Sequence, residues 1–250
     1  MRLKSTPGNS IENGERTCTV NSMDFGPMLE MVEIPVFLSK FDSLHSAISG
    51  CHNLLASPIA PQSAEIVIDT DKSSCTVHTR FLGKAAGMGR RLREATTILK
   101  HTGASKSEIL EGAAATTIWE NASDFGWKEN NNDIILMRLG CLPSLTSELT
   151  KKLVSLVNQS QQHMRLLVSP GNGVLRCVLS SNGTKEIIEN IRSATSELGG
   201  YAIIERCPLT LKSDIEIWGT PRETLELMQR LKAQMDPQRI LSPGRFIGGI

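Results

Sequence analysis

Apolar and polar positions alternate with two periods along the chain, and each change of period marks an element. Cys75, Val77, Thr79 and Phe81 stand against Thr76, His78 and Arg80, a period of two that predicts a half-buried strand over Cys75 to Leu82. Ala64 to Asp69 predicts the strand before it, with a polar turn at Thr70 to Ser73. Upstream, residues 28–41 turn apolar and β-prone, and Pro35 confines the centre of that run to an edge strand or a bend. Leu44, Ala47, Ile48, Cys51, Leu54 and Leu55 recur at helical spacing behind a cap at Asp42-Ser43, which predicts a helix to about Ala56. Met88, Leu92, Ala95 and Leu99 give a second helix over about Lys84 to Lys100, stopped at Gly103. A third helix is predicted over about Ser107 to Asn121.

The polar break Lys128 to Asp133 is followed by the same order of elements. Ile134 to Gly140 reads as a strand, and Ser144 to Asn158 as a helix with Leu145, Leu149, Leu153 and Leu156 on one side. Arg165 to Val168 and Val174 to Leu179 flank the turn Pro170-Gly171-Asn172-Gly173, the strongest hairpin signal in the chain. A helix capped by Asn182 or Thr184 runs to Leu198, and Tyr201 to Glu205 closes the unit as a strand. The expected fold is therefore α+β. Two ferredoxin-like βαββα units, residues 28–127 and 134–206, form an antiparallel or mixed sheet with helices packed on one face. Residues 1–27 are polar and aperiodic and read as a disordered or linking arm.

Composition narrows the function classes. The net charge of +1 gives no electrostatic case for nucleic acid or an anionic membrane, and no apolar run nears the roughly 18 residues of a membrane span. The N-terminus has no apolar core of a signal peptide, so a cytoplasmic protein is expected. Cys18, Cys51, Cys75, Cys141, Cys177 and Cys207 are scattered singly, and the five histidines are dispersed. No metal or iron–sulfur cluster is expected on this chain.

The stretch from Leu225 carries the sharpest motif. Leu225, Met228, Leu231 and Met235 form one helical face, Asp236-Pro237 stops it, and Leu241-Ser242-Pro243-Gly244-Arg245 turns tightly. Lys232, Asp236-Pro237 and Leu241 to Arg245 resemble the closing signature of FAD-linked oxidases of the vanillyl-alcohol oxidase superfamily, with Ser242 where the pattern has asparagine. Trp218-Gly219 and the ending Phe246 to Ile250 are most similar to the FAD-binding polypeptide of glycolate oxidase (glycolate dehydrogenase). The resemblance implies a C-terminal substrate or cap domain over residues 28–250, closed by a helix and tail at 220–250. It implies FAD as cofactor, met by Ser242, Pro243, Gly244 and Arg245. It further implies oxidation of a small 2-hydroxy acid to the 2-oxo acid, with a flavin-domain polypeptide and an iron–sulfur subunit as partners. No glycine-rich segment able to cradle the FAD pyrophosphate accompanies the cap layout, so the chain alone is not expected to be catalytic. A non-catalytic interaction subunit of ferredoxin-like fold is the alternative.

Candidate chemistry elsewhere is sparse. Arg138, Arg165, Arg176 and Arg206 fall on or beside predicted strands. Such arginines suit a bidentate hold on a substrate carboxylate, and equally a solvated sheet face. Arg206 and Lys212 are the substrate candidates, because they precede Trp218-Gly219 and the tail.

Overall fold

The computed structural model describes residues 35–72, 74–83, 85–129, 133–180, 185–212, 214–219 and 224–250. The expected N-terminal arm and the expected cap at Asn182 or Thr184 lie outside the described residues. The first unit runs β1 (Val36–Phe41), α1 (Leu44–Leu55), β2 (Ser63–Asp69), β3 (Ser74–Arg80), α2 (Ala85–His101) and β4 (Ala104–Leu110). A helix, α3 (Gly112–Ser123), leads to the second unit: β5 (Ile134–Gly140), α4 (Thr146–Gln159), β6 (Met164–Ser169), β7 (Val174–Ser180), α5 (Lys185–Glu197) and β8 (Tyr201–Arg206). A short helix, α6 (Leu209–Lys212), and the longer α7 (Leu225–Met235) follow.

The eight strands form one sheet in the order β4-β1-β3-β2-β6-β7-β5-β8, and every pairing is antiparallel. Each half is a ferredoxin-like four-stranded sheet, and the halves join edge to edge through β2 and β6. The first unit differs from the expected order in one element. Residues 104–110, which overlap the helix expected from about Ser107, are the edge strand β4, and α3 starts only at Gly112. The partly buried positions of β4 are Ala104, Ser107 and Leu110, a spacing of three that imitates a helix, because an edge strand is covered unevenly.

Alternation divides the strands between two faces. Phe37, Ile66, Val77, Met137, Leu166 and Cys177 point into the main core with the apolar sides of α1, α2, α4 and α5. Each such buried side chain contributes roughly 1.5–3 kcal/mol. Ser43 starts α1 by accepting from the Ser46 amide, as its position before the apolar face requires. The opposite face carries a smaller apolar cluster, Leu136, Leu167 and Val178 under Ala122 and Phe125. This cluster seats the end of α3 on that second face, whereas the other long helices of the two units pack on the first. Gly126 fits this contact because its φ is +79° and a Cβ there would stand 2.7 Å from Leu136.

Candidate functional site

Strand register builds the second face row by row. Glu65 on β2 lies opposite His78 on β3 and next to Ser169 across the β2–β6 junction, since Ile66 pairs with Val168. The next row holds Val67, Leu167, Arg176 and Arg138, and the one after it Asp69, Arg165, Val178, Leu136 and Arg206. The period of two therefore puts Arg138, Arg165 and Arg176, with Arg80 at the end of β3, on one face. The β-bulge between Leu136 and Met137 is what turns Arg206 onto it.

Helix α3 crosses this face and leaves a hollow on each side. A cavity of about 280 Å³ is lined by Glu65, Trp119, Ser123, Ser169, Asn172 and Arg176. A broader recess of about 670 Å³ is lined by His78, Ile118, Phe125, Glu129 and Arg165, among others. Trp119 stacks on Arg80, whose guanidinium carbon is 5.2 Å from the ring centre, and Arg165 lies 5.7 Å from the Phe125 ring.

The arginines are engaged to different degrees. Arg206 donates to the carbonyls of Gly126, Trp127 and Glu129 at 3.2–3.3 Å, so it ties down the loop after α3. Arg165 pairs with Glu129. Arg138 Nε is 2.8 Å from Glu205 Oε1. Arg176 Nε stands 3.9 Å from Glu205 Oε2 and makes no hydrogen bond, and one Nη donates to the Ser123 carbonyl at 3.3 Å. Lys212, the other substrate candidate, is exposed at the end of α6, and its charge bears on the Cys207 thiol. Neither candidate is among the residues lining the two hollows: Arg206 holds the loop after α3 on the second face, and Lys212 stands apart on α6.

Burial moves two titratable groups of this face in opposite directions. The Glu65 carboxyl is pushed up, chiefly by desolvation, against the hydroxyls of Ser169 (3.3 Å) and Ser63 (3.4 Å) and the charge of Arg176. His78 is pushed down to about 4 by desolvation; its Nε2 meets the Thr76 hydroxyl at 3.0 Å, while Nδ1 is buried without a partner. Neither residue stood out in the sequence. The signal was available for one of the two contacts: a hairpin centred between Asp71 and Lys72 sets Glu65 against His78. The join of β2 to β6 links residues about a hundred apart and had none.

A second polar group lies at the end of β2. His163 Nε2 is 3.0 Å from Asp69 Oδ1 and 3.3 Å from Asp71 Oδ2, and Thr70 pins this turn to Met164 by a hydrogen bond in each direction. The three side chains offer ligand atoms within 4.8 Å of one another, a grouping that the dispersed histidines of the sequence did not announce.

The C-terminal signature closes on itself. Lys232 Nζ meets Asp236 Oδ2 at 2.7 Å and donates to the Leu241 carbonyl at 2.6 Å. Asp236 accepts from the amides of Ile240 (3.1 Å) and Leu241 (3.0 Å). Trp218 Nε1 donates to the Arg245 carbonyl at 3.1 Å, and its ring meets Phe246 edge-on at 4.8 Å. Ser242 sits at φ 47°, and a groove of about 440 Å³ runs between α7 and the tail, lined by Arg239, Pro243, Gly244, Gly248 and Gly249 among others. A Cβ on Gly244 or Gly249 would meet nothing within 4 Å, so this wall of bare backbone is open to a flat group from outside the chain.

No protein-family model matches the sequence, and no curated protein matches it. Solved structures do match. Alkyldihydroxyacetonephosphate synthase superposes with a TM-score of 0.54 at 12% identity, over 86% of this chain and 45% of that one. Physcomitrella patens BBE-like 1 gives 0.52 at 13% identity, over 84% of this chain and 52% of that one. The chain shares its α+β fold with the matched part of these proteins. The chain spans about half the length of the proteins it matches. Among the described residues no helix is long and apolar enough to cross a membrane.

Proposed function

We propose that this chain is the cap half of an FAD-dependent oxidoreductase acting on a small 2-hydroxy acid, resembling the FAD-binding polypeptide of glycolate oxidase, in the cytoplasm. The observation that carries the reading is the second face of the cap-type sheet. Arg138 and Arg176 face Glu205 there, Arg165 pairs with Glu129, and Glu65, beside Arg176, is held toward its neutral form. The excess of positive charge beside two hollows favours a small anion. Arg176 is the group best placed to take its carboxylate, because it lines the smaller hollow and its Nε approaches Glu205 only to 3.9 Å, whereas Arg138 is paired with Glu205 at 2.8 Å.

The tail fits one wall of a flavin site: Ser242, Pro243, Gly244 and Arg245 would hold FAD, with Pro243 and Gly244 lining the groove beside α7 and Ser242 and Arg245 flanking them in the chain. When bound, FAD supplies the hydride acceptor. The remaining contacts must come from the half of the fold that the matched structures have beyond this chain's span. The exposed apolar residues Leu227, Leu231 and Met235 on α7, with Ile240 and Leu241 beside them, give that half a surface to cover. In this reading electrons leave through an iron–sulfur partner.

Co-expression with a flavin-domain polypeptide and an iron–sulfur subunit from the same source tests the proposal. The chain alone should be colourless. The assembly should carry flavin absorbance and reduce a dye on addition of glycolate. A colourless assembly, or a flavin-loaded one that ignores glycolate, would overturn the FAD or the substrate assignment respectively.

A further inference from the structure

Resting on the reading of the second face as an anion-binding surface, Glu65 acquires a specific role. Its carboxyl lines the 280 Å³ cavity together with Arg176, Ser169, Asn172 and Trp119. Two hydroxyls reach it, Ser169 from β6 and Ser63 from its own strand, and His78 occupies the opposing position on β3. A carboxylate drawn to Arg176 must enter this same cavity. With Glu65 ionised, two like charges would share a desolvated space with one arginine, an arrangement that drives one carboxyl to take up a proton. With Glu65 neutral, its hydroxyl becomes a donor to the ligand.

We propose that Glu65 is the proton-linked specificity group of this cavity, so that a small carboxylate seats against Arg176 only as Glu65 takes up a proton from solvent. No covalent step is involved: one anion and one proton enter together, and the charge of the site is unchanged. The other charged groups of the face do not replace Glu65 in this role. On β3, His78 is too weak a base to hold a proton at neutral pH and Arg80 is stacked on Trp119. On β6 and the loop after α3, Arg165 is paired with Glu129, and Lys128 with Asp124. On β5 and β8, Arg138 holds Glu205. On β2, Asp69 faces His163 at the far end of the strand. Helix α3 lines the cavity with Trp119, Ala122 and Ser123, and its one charged residue, Glu120, is exposed outside that lining. Behind the strand, the Cys51 thiol is pushed up to about 12 and stays neutral.

The test is calorimetric titration of the full chain with glycolate, in buffers of different ionisation enthalpy between pH 5.5 and 8. The expected result is uptake of about one proton per glycolate at the upper end, with affinity falling about tenfold per pH unit once Glu65 is ionised in the free protein. Glu65→Gln should bind glycolate with no proton uptake and a flat pH profile. Arg176→Gln, with circular dichroism unchanged, should lose binding. Binding without proton uptake in the parent chain, or uptake that persists in Glu65→Gln, would overturn the role of Glu65 while leaving the anion-binding reading in place. Absence of glycolate binding to both the parent chain and Glu65→Gln at millimolar concentration would overturn that reading itself.

Discussion

Lys232 and Asp236, one helical turn apart, form an ion pair at 2.7 Å that ties the end of α7 to the tail. The carboxylate is only 4% exposed, and the Lys232 ammonium and two backbone amides meet it. The hydrogen bond from Lys232 therefore outweighs desolvation, and Asp236 is held below the ordinary carboxylate value, with further help from the amides of Leu241 and Ile240. The lysine and aspartate of the signature are thus explained by closure of the chain on itself, and the residues from Ser242 onward by what that closure presents.

Asp236→Asn should loosen this turn without unfolding the sheet. The amides of Ile240 and Leu241, which donate to the carboxylate, should exchange faster with solvent while those of β5 keep their protection. The sign of the pH effect follows from the lowered value. The stabilisation is present above the unfolded-state value and is lost as pH falls through the lower folded-state value. The parent chain should come to resemble the variant only in strong acid. Equal exchange in both at neutral pH would show that the pair does not hold the tail.

Gly173→Ala should destabilise the second half of the sheet. Gly173 closes the β6–β7 turn at φ +74°, and a Cβ there would lie 2.1 Å from the Cys141 carbonyl oxygen. That neighbour is backbone, and the Cys141 amide donates to the Gly173 carbonyl at 2.9 Å, so neither side can yield freely. A loss of about 2 kcal/mol or more is expected as a lower urea midpoint. Gly199→Ala serves as the comparison: its φ is +66° but a Cβ there meets nothing, so it should cost less.

The sequence patterns carried most of the architecture, because long elements with one buried face repeat their period clearly. β5 begins at Ile134 with the apolar run that marked it as a strand, and α1 begins behind the Ser43 cap. β4 escaped detection because, as an edge strand, it buries every third residue and has no full alternation to show. The site was less legible for a different reason. Glu65, Ser169 and Arg176 come from three strands, and their meeting depends on the join between β2 and β6, which no local pattern records. Arg206 was noticed as a strand-end cation, but the bulge that aims it at the loop carbonyls is a property of pairing with Leu136.

Arg206→Met should free the loop after α3. The arginine contributes three hydrogen bonds to the carbonyls of Gly126, Trp127 and Glu129, and methionine keeps much of the packing while removing every donor. A loss of about 2 kcal/mol in denaturant stability is expected, together with faster hydrogen exchange across residues 124–129. If Arg206 instead served only a substrate, the variant would keep parental stability and exchange.

His78 should make the fold acid-sensitive through the pH range where an ordinary histidine charges. Its folded-state value lies near 4 because burial penalises the imidazolium, whereas in the unfolded chain it returns to about 6.5. Between these values the unfolded state binds the extra proton, so stability falls as pH drops from about 6.5 toward 4, by on the order of 3 kcal/mol for this group alone. His78→Gln should flatten that part of the stability profile, because a neutral amide has no proton to gain. Urea midpoints measured from pH 7 to 4.5 for both proteins decide the matter. Parallel curves would mean that the imidazole is protonated in the folded state, and that the hollow beside α3 is wetter than its apolar lining of Val67, Ile118 and Phe125 implies.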